Sequence, residues 1–103
     1  MSLDVYLVSN VYDANITHNL GEMAKAAGIY QHLWRPDEIG VYCARELIQP
    51  LSAGLAKLLN DPEHFKKYDS PNGWGTYENF VPFVSNYLAA CVAYPDSRVE
   101  VSR

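Results

Sequence analysis

Leu3-Asp4-Val5-Tyr6-Leu7-Val8 and Arg98-Val99-Glu100-Val101-Ser102-Arg103 stand at opposite ends of a chain whose middle reads as helix. In the first stretch Leu3, Val5 and Leu7 fall on one side, with Asp4 and Tyr6 on the other. In the second, Val99 and Val101 do the same. Successive strand side chains point to opposite faces, so each stretch predicts a β-strand with one buried face. Two short strands separated only by helices have one economical arrangement: they pair, and the helices cover one face. A lone two-stranded sheet is marginal in water, so packing on the helices must hold it. The expected fold is therefore α+β and mostly helical, with three to five helices packed on a small two-stranded sheet formed by the N- and C-terminal strands. The whole chain, 1–103, reads as one domain.

Working inward, Ser9 to Ala14 is polar and predicts a loop. Thr17 is suited to cap the helix that follows, because its hydroxyl can accept from an unpaired first-turn N–H. That helix carries Leu20, Met23, Ala24 and Ala27 at helical spacing and should stop at Gly28, which takes positive φ cheaply. Ile29 to Trp34 predicts a short helical turn, ended by Arg35-Pro36, because proline disfavours helix at the residue before it. From about Val41 to Asn60, Leu47, Leu51, Leu55 and Leu58 form one stripe, with Ile48 and Leu59 beside it, which is the pattern of a core-facing helix. Pro50 predicts a kink or a break within it. Asp61-Pro62-Glu63 looks like a second start, with Asp61 as cap and Pro62 in the first helical position. That short helix carries His64 and Phe65 and fades by Tyr68. Ser70-Pro71-Asn72-Gly73 marks a turn. Thr76 then caps a last helix, with Tyr77, Phe80, Val81, Val84, Leu88 and Cys91 facing the core. Pro82 lies early enough in it to be tolerated, and Tyr94-Pro95-Asp96-Ser97 ends it.

The net charge is −4, with 8 basic residues scattered along the chain, which argues against general nucleic-acid binding, since that draws its affinity from neutralised phosphates. No apolar run approaches the ~20 residues that cross a bilayer. Met1-Ser2-Leu3-Asp4 lacks the basic start and apolar stretch of a signal peptide, so a cytoplasmic protein without a membrane partner is expected. Cys43 and Cys91 fall within predicted helices and read as free thiols rather than a disulfide. Without a secretion signal, the glycosylation pattern Asn15-Ile16-Thr17 carries no weight. The eight tyrosines suit half-buried shells and interfaces.

The segments Asn15-Ile16-Thr17-His18-Asn19-Leu20, Ala27-Gly28-Ile29-Tyr30, Leu33-Trp34-Arg35-Pro36, Asn72-Gly73-Trp74-Gly75 and Val99-Glu100-Val101-Ser102-Arg103 carry a resemblance that spans nearly the whole chain. It resembles a family of small uncharacterised phage, prophage and bacterial proteins. That family has no established activity, so the resemblance implies a phage-type accessory context in a bacterial host and assigns no residue a role.

Three constellations could carry chemistry. In the first, Asn15, Thr17, His18, Asn19 and Glu22 gather at a helix start. His18 and Glu22 share a helix face, and the terminus offers N–H groups and a favourable dipole to an anion. The competing reading is a cap with a surface pair. In the second, Trp34 and Arg35 stand together: a guanidinium can grip a phosphate while an indole stacks on a base. Alternatively, Trp34 fills the core and Arg35 pairs with Asp37 or Glu38. In the third, Asn72, Gly73, Trp74 and Gly75 form a loop in which two glycines free the backbone. Its ring either covers a pocket or plugs the core.

His18, His32 and His64 show no metal-ligand spacing, so neither metal nor cofactor is expected. No serine elbow or phosphate-cradling loop is present, and Cys43 and Cys91 occupy apolar positions where thiols are usually inert. Adjacent Asp37 and Glu38 would point apart on a regular helix. The leading expectation is non-catalytic binding of a small anionic, nucleotide-like ligand by Asn15, Thr17, His18, Asn19, Trp34, Arg35, Asn72 and Trp74. In a phage setting such a ligand could be a host defence signal. A protein-interaction module binding a host or phage protein, or a second copy as a homodimer, is the alternative. A small hydrolase using His18 and Glu22 is the second alternative.

Overall fold

The computed structural model describes residues 2–8 and 11–103. Its elements in order are β1 (Ser2–Val8), β2 (Tyr12–Thr17), a 3-10 turn at His18–Leu20, α1 (Gly21–Ala26), α2 (Tyr30–Trp34), a 3-10 turn at Pro36–Ile39, α3 (Arg45–Asn60), α4 (Pro62–Lys66), α5 (Tyr77–Ala93) and β3 (Arg98–Ser102). The fold is α+β and mostly helical. The terminal strands pair antiparallel as expected, Val5 opposite Val101 and Leu7 opposite Val99. The sheet differs in having three strands, ordered β2-β1-β3. β2 arises where a loop was expected, pairing Ile16 with Leu3, Ala14 with Val5 and Tyr12 with Leu7. Ser9 and Asn10, the start of that expected loop, lie outside the described residues. The extra strand gives β1 a neighbour on each side, and Leu3, Val5 and Leu7 are fully buried under the helices.

Most helix boundaries follow their punctuation. Gly28 takes φ +80° after α1, and the Ile29 N–H closes back onto the Ala24 carbonyl at 2.9 Å, a helix stop that needs a left-handed residue. Asp61 caps α4 through the His64 N–H, with Pro62 at its first position. Two expectations about α3 change. It begins at Arg45 rather than Val41, because the preceding backbone is taken by the end of the sheet. Cys43 bridges to Arg98, outside any helix, and the Tyr42 carbonyl accepts from the Val99 N–H. α3 also runs unbroken through Pro50. Pro50 is the sixth residue of the helix, so the bond it cannot donate would have reached only the first-turn carbonyl of Glu46.

α3 and α5 pack on each other as the main helical layer. Along α3 the buried line is Leu47, Leu51, Gly54 and Leu58, with Ile48 and Leu55 half-covered; Leu59 is exposed. Gly54 belongs to the stripe because Ile29 lies against it: a Cβ there would sit 2.6 Å from Ile29 Cγ2. α5 buries Phe80, Phe83, Val84, Tyr87 and Cys91. Cys43 and Cys91 are free thiols. Tyr87 stacks on Tyr12 at 5.9 Å, and its buried hydroxyl has no partner among the described residues. That burial pushes the Tyr87 hydroxyl well above its ordinary pKa.

Candidate functional site

The 3-10 turn at His18–Leu20 follows β2, and Thr17, extended at its start, accepts from the Asn19 N–H at 3.4 Å. Hollows open around this turn. On one side lies a cleft of about 480 Å³ lined by His18, Asn19, Glu22, Lys25, Tyr30, Trp34, Arg35 and Arg103. Its aromatic wall is layered: Tyr30 stacks on Trp34 at 5.2 Å, Lys25 Nζ stands 4.9 Å over the Tyr30 ring, and His18 meets the Trp34 edge at 6.1 Å. His18 Nε2 is buried and has no partner among the described residues. Arg103 donates to the Trp34 carbonyl at 2.8 Å.

Three cations thus reach this cleft from three separate segments: Lys25 in α1, Arg35 after α2 and Arg103 after β3. Each has a carboxylate nearby. Lys25 pairs with Glu22 at 3.4 Å, Arg35 with Glu38 at 2.8 Å, and Arg103 with Asp37 at 3.6 Å. The Glu38 hydrogen bond raises the Arg35 pKa further, so Arg35 stays charged. All three pairs are solvent-exposed, and such pairs are worth at most ~1 kcal/mol. An arriving anion can therefore exchange for these carboxylates at small cost. Glu22 engages Lys25, which weakens the basis for a His18–Glu22 catalytic pair.

On the other side of the turn, a groove of about 510 Å³ runs between β2 and α5, lined by Tyr12, Ala14, Ile16, Leu20, Trp74, Asn79, Phe83 and Asn86 among others, none of them charged. Trp74 stands at its rim, 70% exposed. The loop that carries it is tightly braced. Asn72 Oδ1 accepts from Ser70 Oγ at 2.6 Å and from the Trp74 N–H at 2.9 Å, and the Ser70 N–H reaches the Gly75 carbonyl at 3.0 Å. Asn19 Nδ2 donates to the Trp74 carbonyl at 2.8 Å, tying the loop to the 3-10 turn. Gly75 takes φ +100°, and a Cβ there would lie 2.9 Å from Thr17 Cγ2. Thr76 sits at the cap position of α5 without using its side chain; Asp69 Oδ1 accepts from the Tyr77 N–H at 2.7 Å instead.

The eight residues expected from sequence do not share one hollow. His18, Asn19, Trp34 and Arg35 line the cleft; Asn15, Thr17 and Trp74 line the groove; a shallow saddle joins them, lined by Thr17, His18, Asn19, Asn72 and Trp74. Trp34 is 3% exposed and serves mainly as a core residue, with Arg35 paired to Glu38. The Asn15 amide donates to Asp4 Oδ1 at 2.6 Å, which occupies it across the β1–β2 pair. Sequence reasoning missed Lys25, Tyr30 and Arg103 in the cleft, and Tyr12, Asn79, Phe83 and Asn86 in the groove. Asn79, Phe83 and Asn86 were readable as i, i+4 and i+7 on one helix face; nothing local marks Arg103. Among the described residues, no group of three or more His, Cys, Asp or Glu side chains is arranged to hold a metal ion, and no helix is long and apolar enough to cross a membrane.

No family model, curated protein or solved structure matches this chain.

Proposed function

We propose that the protein binds a small anionic, nucleotide-like ligand in the cleft between the 3-10 turn, α1 and α2, without transforming it. The observation that carries this reading is the convergence of Lys25, Arg35 and Arg103 on one cleft, in a chain whose net charge is −4. The ion pairs that hold these cations are weak enough to yield to phosphate oxygens. His18 lines the same cleft and sets its ring against the edge of Trp34, closing that wall. The Cys91 thiol, pushed up to about 12 by burial, is not a nucleophile at neutral pH. The resemblance stated above adds the setting: a phage-type accessory protein in the bacterial cytoplasm, where the ligand would be a host signalling nucleotide.

Thermal unfolding with mononucleotides, cyclic dinucleotides and pyrophosphate tests this. A ligand at a hundred times its Kd adds about 2.7 kcal/mol, which raises Tm by roughly 10 °C or more in a domain of this size. Replacing Lys25 and Arg35 together by Ala should weaken binding by about a hundredfold or more, each lost charged hydrogen bond costing ~1.5 kcal/mol or more. The proposal fails if none of these anions shifts Tm at millimolar concentration.

Exposed Tyr42 and Tyr94 support a second reading, a protein-interaction face. Both stand beside the 94–98 turn, where the backbone of Ala44 and Arg45 bonds to Ser97 and Pro95. Light scattering after size exclusion, alone and with candidate partners, tests that face; a strict monomer that forms no complex would count against it.

A further inference from the structure

The cleft is not isolated. His18 and Asn19 line both the cleft and the saddle, and Thr17 and Trp74 line both the saddle and the groove. These shared linings set the three hollows in a row from Lys25 past Asn19 to Trp74. The two ends of the row differ in chemistry: three cations gather at one, and the other has no charged lining among the described residues. Between them the row follows the 3-10 turn into α1. Asn19 and Lys25 are six residues apart along this helical stretch, about 9 Å at ~1.5 Å per residue. The Lys25 and Trp74 side chains extend the row beyond that backbone span, which favours an elongated ligand over a compact one.

Resting on the anion-binding reading above, we infer that the ligand is elongated, of dinucleotide length. An uncharged planar ring stacks on Trp74 in the groove, while the anionic part lies among Lys25, Arg35 and Arg103. An indole left 70% exposed forgoes much of its burial energy, yet its loop is held by a dense set of hydrogen bonds. Such a loop presents the ring from a main chain already ordered, which lowers the ordering cost when a second ring arrives. Leu20 and Phe83 give the groove an apolar floor, and Asn79 and Asn86 on the α5 face offer amide donors and acceptors to the polar edge of a base. A purely aliphatic occupant would leave those amides unused.

The experiment uses the full chain with three probes: pyrophosphate, AMP and a diadenylate in linear and cyclic form. Binding is measured by calorimetry and by acrylamide quenching of tryptophan emission. Trp34 is already shielded by the core, so quenchable emission reports Trp74. At least one diadenylate should bind about tenfold or more tightly than pyrophosphate and protect Trp74 from acrylamide. Trp74→Ala should lower diadenylate affinity roughly five- to a hundredfold, the range of losing one base stack, and leave pyrophosphate affinity unchanged. Trp74→Phe should keep part of the difference. If pyrophosphate binds through Lys25 and Arg35 while no diadenylate gains affinity or protects Trp74, this inference falls and the anion cleft stands. If neither pyrophosphate nor any nucleotide binds, both fall.

Discussion

The two tryptophans divide the molecule into two kinds of surface. Trp34, in α2, is 3% exposed, stacked on Tyr30 and touched at its edge by His18, with its carbonyl held by Arg103. Trp74 is 70% exposed on a loop between two left-handed glycines. Burying an indole removes ~200 Å² from water, worth about 5 kcal/mol at ~25 cal/mol per Å². Trp34 collects most of that and Trp74 little. The residue type is the same, so the backbone does the sorting. A helix packed against the core turns one ring inward; a braced turn fixes the other at the surface. The first region buries its ring for stability; the second leaves its ring in solvent.

The sharpest way to break this contrast is Trp34→Ala, which should cost about 3–5 kcal/mol and lower Tm by more than ~12 °C. A loss below ~1 kcal/mol in a denaturant titration would show that Trp34 is not the anchor described here. Gly75→Ala comes next. Its φ of +100° and the close approach to Thr17 and Asn19 predict a loss of ~1–3 kcal/mol. The Trp74 loop should also loosen, seen as faster amide exchange at Gly73 to Tyr77. Unchanged exchange there would show that the brace tolerates the strain.

The pH response also distinguishes the two regions. Burial lowers the pKa of His32, in α2 with Trp34, from 6.5. A depressed folded pKa means that the unfolded chain takes up protons first, so the stabilising term is complete above pH ~6.5 and declines as pH falls below it. Glu46, held low by the N–H groups of Tyr42 and Cys43, adds a separate loss as pH falls below its unfolded value near 4.5. Tm measured between pH 8 and 5 should therefore decline on the acid side, and His32→Gln should flatten the part between pH 6.5 and 5. An identical slope in the variant would assign the decline elsewhere. The smallest stability change is expected for Trp74→Ala, within ~0.5 kcal/mol, which lets the same variant report on binding with the fold intact.

Local signals were enough where the backbone answers to its neighbours in sequence. The alternation at 3–7 and 98–102, the Gly28 stop and the Asp61-Pro62 start all appear as written. β2 was missed although Tyr12, Ala14 and Ile16 alternate with Asp13, Asn15 and Thr17, because Ala14 is too weakly apolar to make the period stand out in a polar stretch. The Val41 start of α3 failed because the backbone of Tyr42 to Arg45 is committed to β3 and the turn before it. Leu59 matched the apolar composition of its stripe but lies off the α3–α5 contact and stays exposed.

Apolar periodicity, caps and turn residues determined by themselves an α+β chain with paired ends and a helical middle, because those are short-range properties of the backbone. Which polar side chains meet was decided only by tertiary packing. Lys25, Arg35 and Arg103 come together, and His18 stands between Trp34 and the Trp74 loop, because a central β1 brings β2 and β3 to either side of it and the helices fold back over one face. Contacts between residues so far apart in the chain leave no periodic trace in sequence, since they depend on how the layers pack and not on any residue's own neighbours.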